Sequence, residues 1–89
     1  MIQFYGADIC KDCRTAHRLL TVKQMETEFI DITASTANLR AFLHLRDTRP
    51  EFDEVKKEGR IGIPAFVMED GTVVLGNDWI RGDGPGKSC

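Results

Sequence analysis

The sequence predicts an α/β domain in which a mixed sheet carries helices. Three observations lead there: a short apolar strand pattern that runs into a helical stripe, a second strand pattern behind it, and a hairpin signal late in the chain. A β-α-β start joins parallel neighbours and a hairpin joins antiparallel ones. The sheet is therefore expected to be parallel in its first half and antiparallel in its second.

Ile2-Gln3-Phe4-Tyr5 is short, apolar-rich and closed by Gly6, as a strand is. After Ala7-Asp8-Ile9 a helical pattern begins near Cys10, with Cys13, Ala16, Leu19 and Leu20 on one stripe. Phe29-Ile30-Asp31-Ile32 is the next strand. Thr33 or Ser35 caps a second helix, whose Leu39, Phe42, Leu43 and Arg46 recur at helical spacing. Pro50 suits a first helical position and Gly59 an ending, with Phe52 and Val55 as the buried contacts between them. Pro64 opens the strand Ala65-Phe66-Val67-Met68, a place where a missing N–H is tolerated. Asp70-Gly71 signals a two-residue hairpin into Thr72-Val73-Val74-Leu75. Asn77 or Asp78 caps one helical turn holding Trp79 and Ile80, and Gly82 stops it. Residues 1–82 are expected to form one domain, and 83–89 (DGPGKSC, Asp83 to Cys89) a loose tail.

With 89 residues the chain makes a single domain around a modest core. Apolar residues at 42% and charged residues at 29% suit a soluble globular protein rather than a disordered one. The net charge of −2, with no basic cluster among aromatics and no glycine-rich phosphate loop, argues against a nucleic-acid partner. No apolar run approaches the roughly 18 residues of a membrane span, so no membrane partner is expected. Met1-Ile2-Gln3-Phe4-Tyr5 lacks the features of a signal peptide, which makes a cytoplasmic, thiol-reducing compartment the expectation. There, closely spaced cysteines serve catalysis or metal binding more often than structure.

Cys10-Lys11-Asp12-Cys13 is such a pair, opening a helix straight after a strand. Residues spaced this way are neighbours on one helical face, so the sulfurs can meet if the first turn relaxes. A disulfide closing so small a loop returns little stability. The position instead favours chemistry, because helix-start N–H groups and the dipole stabilise a thiolate, the species that attacks disulfides. Lys11 adds positive charge and Asp12 opposes it. Cys13 follows the apolar stripe and is expected to be the more buried thiol. Cys10 is thus read as the attacking nucleophile and Cys13 as the resolving thiol.

A second reading of the same cysteines is a metal or iron–sulfur binding module. His17 joins Cys10 and Cys13 on a common helical side, yet a zinc site needs about four ligands and no second paired motif supplies them. No metal ligands are therefore assigned. His17 is read as a partly buried histidine; helix rise sets it on the order of 10 Å from Cys10, too far for a direct hydrogen bond. His44 is expected to face solvent, Trp79 to cap the core, Asp8 to serve its turn, and Cys89 to be an incidental terminal thiol.

The motif FYGADICKDCR, the segment Gly62-Ile63-Pro64-Ala65-Phe66 and the Asp70-Gly71 hairpin together resemble the glutaredoxin-like branch of the thioredoxin superfamily, across roughly residues 1 to 81. The stretch RPEFDEVKKEGRIGIPAF resembles small bacterial glutaredoxin-related proteins. The resemblance implies a thioredoxin-like (glutaredoxin) fold, with a four-stranded mixed sheet flanked by helices and a cis Ile63–Pro64 bond beside the cysteines. It implies a dithiol thiol–disulfide oxidoreductase with no bound cofactor and glutathione as co-substrate. Substrates would be disulfide-containing proteins or glutathione mixed disulfides, with glutathione or a reductase as electron donor to a monomeric enzyme. It places Ile63, Pro64, Lys11, Gly76, Asn77 and Asp78 about the substrate, Ile63 through its backbone. Glutaredoxins commonly carry Pro-Tyr where Lys11-Asp12 stand here, many carry lysine where Asp8 stands, and their usual glycine pair appears as Gly76-Asn77. CRTA is also similar to arsenate-reductase-like relatives, whose chains are longer.

Overall fold

The structure, a computed structural model of the chain, describes residues 1–81. Its strands are β1 (Ile2–Gly6), β2 (Thr27–Asp31), β3 (Ala65–Val67) and β4 (Val73–Leu75). Helices α1 (Lys11–Val22) and α2 (Thr36–Thr48) flank β2 in the chain. A 3-10 turn over Pro50–Phe52 then leads into α3 (Asp53–Lys57), and α4 (Asp78–Arg81) follows β4. The expected tail, 83–89, and the expected helix stop at Gly82 lie outside the described residues.

The sheet order is β2-β1-β3-β4. β1 and β2 run parallel in register from Ile2 opposite Thr27 to Gly6 opposite Asp31. β3 is antiparallel to β1 and β4 to β3, with Ala65 facing Tyr5 on one side and Leu75 on the other. This is an α/β architecture on a four-stranded mixed sheet, as the element order predicts. One end of the sheet thereby collects the exits of β1, β2 and β4 and the entry to β3.

Alternation along β1 sorts the core into two layers. Phe4 points to one face, where its ring meets Phe29 of β2 at 5.0 Å and Phe66 of β3 at 4.8 Å, and Phe66 meets Trp79 of α4 at 4.9 Å. His17 of α1 covers the same row, 4.8 Å from Phe4. Tyr5 points to the other face, toward Phe42 of α2 at 6.1 Å, and Phe42 meets Phe52 at 5.8 Å. Trp79 does cap the core, as expected. Among the described residues no helix is long and apolar enough to cross a membrane.

Three local expectations shift. β2 starts at Thr27, two residues early, and ends at Asp31 because β1 supplies pairing partners only as far as Gly6; Ile32 keeps one bond, its N–H donating to the Gly6 carbonyl at 3.0 Å. Leu39 and Leu43 are each 40% exposed rather than core. Successive residues turn about 100° around a helix, so a helix that drives Phe42 into the core sets Leu43 to its side. The β3–β4 reversal runs over residues 68–72 and encloses three residues, Glu69-Asp70-Gly71, inside the hydrogen bond between Met68 and Thr72, instead of two. Met68 N–H donates to Thr72 O at 2.8 Å and Gly71 N–H to Met68 O at 2.9 Å, with Gly71 at φ +89°. That is a turn completed by a left-handed residue, which glycine adopts at no steric cost.

Ser35 supplies the α2 cap, its hydroxyl accepting the Asn38 N–H at 3.1 Å. Pro50 opens its short turn as expected, and Phe52 and Val55 are buried.

Phe66 joins both sheet neighbours to α4 and is fully buried. Phe66→Ala is expected to cost about 3–5 kcal/mol, read from the urea midpoint at constant slope. A loss within about 0.5 kcal/mol, the range of an ordinary surface change, would contradict this core.

Candidate functional site

The sheet end that gathers four strand termini is built from the Ala7–Cys10 turn, the loop after Asp31, the approach to Pro64, and Gly76-Asn77. The Ala7–Cys10 turn closes when Cys10 N–H donates to Ala7 O at 3.1 Å. Cys10 then stands as the N-cap of α1 in extended conformation (φ −91°, ψ 123°), and its carbonyl accepts the Arg14 N–H at 3.1 Å. Its side chain makes no capping hydrogen bond. Arg14 Nη1 donates to the backbone carbonyl of Asp8 at 2.8 Å, a contact that any residue at position 8 would offer.

Cys13 lies one turn further in and is wholly buried, against 8% exposure for Cys10. No disulfide joins the two. The depth of Cys13 depends on Gly6: a Cβ there would stand 2.9 Å from Cys13 Sγ and 2.8 Å from the Phe4 ring. Only a glycine lets the first turn of α1 settle this close to the end of β1. Ile9, directly before Cys10, is 84% exposed, and Lys11 directly after it is exposed too.

His17 turns away from this pair. Its ring packs edge-on against Phe29 at 4.5 Å, and Nε2 lies 3.7 Å from Asp8 Oδ1, too distant for a hydrogen bond. Among the described residues no group of three or more His, Cys, Asp or Glu side chains converges to hold a metal. His44 is exposed on α2, as expected.

Ile63 and Pro64 are buried where the chain enters β3, and their peptide bond is cis. The backbone N–H and carbonyl of Ile63 take no hydrogen bond among the described residues. Pro64 O accepts the Gly76 N–H at 2.9 Å, which fastens the entry of β3 to the exit of β4. Arg46, read in the sequence only as recurring with Leu39, Phe42 and Leu43 at helical spacing, has a task of its own. Its guanidinium donates to Ile61 O and Arg60 O, each at 2.8 Å, and ties the approach to Pro64 onto α2. Nothing in its helical spacing announces this, because the acceptors are backbone carbonyls 14 and 15 residues away.

The residues after β4 divide. Asp78 pairs with Arg81 at 3.3 Å. Asn77 turns inward, 7% exposed, and its amide donates to the carbonyl of Asp12 at 2.9 Å. The structure thus brings Cys10, Cys13, Lys11 and Asn77 together about the first turn of α1. It places Ile63, Pro64 and Gly76 together at the adjoining strand ends.

No family model matches the sequence. A protein of Haemophilus influenzae, described as an uncharacterized protein, is 38% identical over 74 residues, which span 83% of this chain and 85% of the relative. The chain belongs to that protein's family.

The loop leaving β2 toward this end is held by Asp31. Its carboxylate accepts the Thr33 hydroxyl at 2.6 Å and the Thr33 N–H at 2.8 Å. Those two bonds, the hydroxyl first, hold its carboxyl below the ordinary 3.8. A carboxyl lowered by folding helps the folded state above its unfolded value and loses that help as pH falls through the folded one. An NMR titration is expected to give Asp31 a midpoint below 3.8, and Thr33→Val to move it upward. An unchanged midpoint in the variant would contradict this loop geometry.

Proposed function

We propose that the protein is a glutaredoxin-like thiol–disulfide oxidoreductase on a thioredoxin-like fold, with Cys10 as nucleophile and Cys13 as resolving thiol. One observation carries the reading: two thiols at the start of α1, not joined by a disulfide, differ in depth, Cys10 8% exposed and Cys13 fully buried. Helix geometry sets Cα atoms at this spacing about 5 Å apart, within the range that a disulfide bridges. The four-stranded order and the cysteine turn beside the entry to β3 support the same reading.

The chemistry follows from the depth difference. The Cys10 thiolate attacks one sulfur of a substrate disulfide R–S–S–R′, forming Cys10–S–S–R and releasing R′S⁻, which takes up a proton. Cys13, deprotonated, then attacks the Cys10 sulfur. The Cys10–Cys13 bond forms, RSH leaves, and two electrons have passed from the protein to the substrate. Two molecules of glutathione, or a reductase dithiol, restore the pair. No bound cofactor is required. The N–H and carbonyl of Ile63 take no hydrogen bond among the described residues, and they are the groups that the resemblance pairs with a substrate backbone. Lys11, Pro64, Gly76, Asn77 and Asp78 are the residues that the resemblance puts about that substrate. The work belongs to a monomer in the cytoplasm, acting on disulfide-containing proteins or glutathione mixed disulfides, without nucleic acid or membrane.

Cys10→Ser is expected to abolish reduction of a glutathionylated peptide, because a serine hydroxyl is a weak nucleophile at neutral pH. Cys13→Ser is expected to keep the first attack and accumulate a mixed disulfide, detected by mass spectrometry. Trapping by Cys10→Ser and not by Cys13→Ser would reverse the assignment, and trapping by neither would remove the activity.

A further inference from the structure

Asn77 sits 65 positions along the chain from Asp12, yet its side-chain amide is spent on that residue's carbonyl at 2.9 Å. Asp12 lies between the two cysteines, and its carbonyl belongs to the peptide link into Cys13. The acceptor is a backbone oxygen, so the amide must present its NH₂ there, which fixes the orientation of the group. Asn77 Oδ1 is then left buried with no hydrogen bond among the described residues. A buried amide with one satisfied end is a poor choice for stability alone, since an apolar residue of the same shape leaves no orphaned acceptor.

What the bond holds is the first turn of α1 in its dithiol geometry, with no disulfide between the cysteines. Closing the Cys10–Cys13 bond draws the N-cap sulfur toward a sulfur one turn along, and the intervening peptides must turn to allow it. A contact that grips one of those peptides from a separate element resists that turn. Asn77 lies between β4, whose exit is fastened to Pro64 O through the Gly76 N–H, and α4, whose Ile80 is buried. The grip therefore comes from the core rather than from a loose end.

We propose that Asn77 is a positioning residue that holds the Asp12 carbonyl and biases the cysteine pair toward the dithiol, making the disulfide form the stronger oxidant. This rests on the dithiol reading of Cys10 and Cys13.

The test equilibrates the full chain with buffers of glutathione and glutathione disulfide. The reaction is protein dithiol plus one glutathione disulfide giving the Cys10–Cys13 disulfide plus two glutathione molecules, so sulfurs, protons and electrons balance. Asn77→Ala is expected to shift the equilibrium toward the protein disulfide by about fivefold, the worth of one hydrogen bond, or about 20 mV for this two-electron couple. Asn77→Leu fills the space without the donor and is expected to shift it likewise. Ile80→Val loosens the same helix without touching Asp12 and is expected to lower stability while leaving the potential unchanged. If the Asn77 variants keep the parent potential, or move it the other way, the positioning role is overturned. It is overturned equally if Ile80→Val matches their shift. If the parent chain forms no Cys10–Cys13 disulfide in any buffer, the dithiol reading itself falls, a result distinct from an unshifted potential.

Discussion

The close seating of α1 on the end of β1 is the constraint from which the rest follows. Gly6 has no side chain, and the space a Cβ would fill is occupied by the Phe4 ring and Cys13 Sγ. Because that approach is close, the helix begins as soon as the turn after β1 is complete, and Cys10 becomes its N-cap. Because the helix begins there, Cys13 falls on the inward side beneath it. The difference in depth between two chemically identical thiols is thus a consequence of one absent methyl group.

The neighbouring strand ends are arranged around that seat by bonds that reach across the fold. Pro64 O holds Gly76, Arg46 holds the carbonyls of Arg60 and Ile61, and Asn77 holds the carbonyl of Asp12. Each joins segments far apart in sequence. A mixed sheet makes this possible with short connections: with β3 reversed relative to β1, its entry meets the exits of β1 and β4 at one end. The aromatic rows on the two faces supply the rigidity beneath, Phe29-Phe4-Phe66-Trp79 on one side and Tyr5-Phe42-Phe52 on the other.

Much of this is legible in the chain, and the divisions have physical reasons. Local signals speak clearly: the stripe of Cys13, Ala16 and Leu20 marks a buried helical face, Ser35 marks a helix start, and Pro50 marks the turn that carries Phe52 inward. The cis bond at Ile63–Pro64 comes through resemblance, since proline alone does not reveal its isomer. Leu39 and Leu43 mislead because helical spacing tells which residues share a face, while only the neighbouring layer decides how wide that face is. The hairpin dipeptide marks the reversal but not its length, which is settled by how Met68 and Thr72 pair. Arg46 and Asn77 are the harder cases. Their partners are backbone carbonyls, and any residue offers one, so no pattern in side chains foretells them.

The central claim is that position alone makes these two thiols unequal: one keeps a little exposure, 8%, and the other, against Gly6, has none. Brief treatment of the fully reduced chain with limiting iodoacetamide, followed by peptide mass mapping, reads that inequality directly. Cys10 is expected to be alkylated several-fold faster than Cys13, which becomes reactive only when the fold is opened with denaturant. Equal rates in the folded chain, or faster labelling of Cys13, would contradict the account.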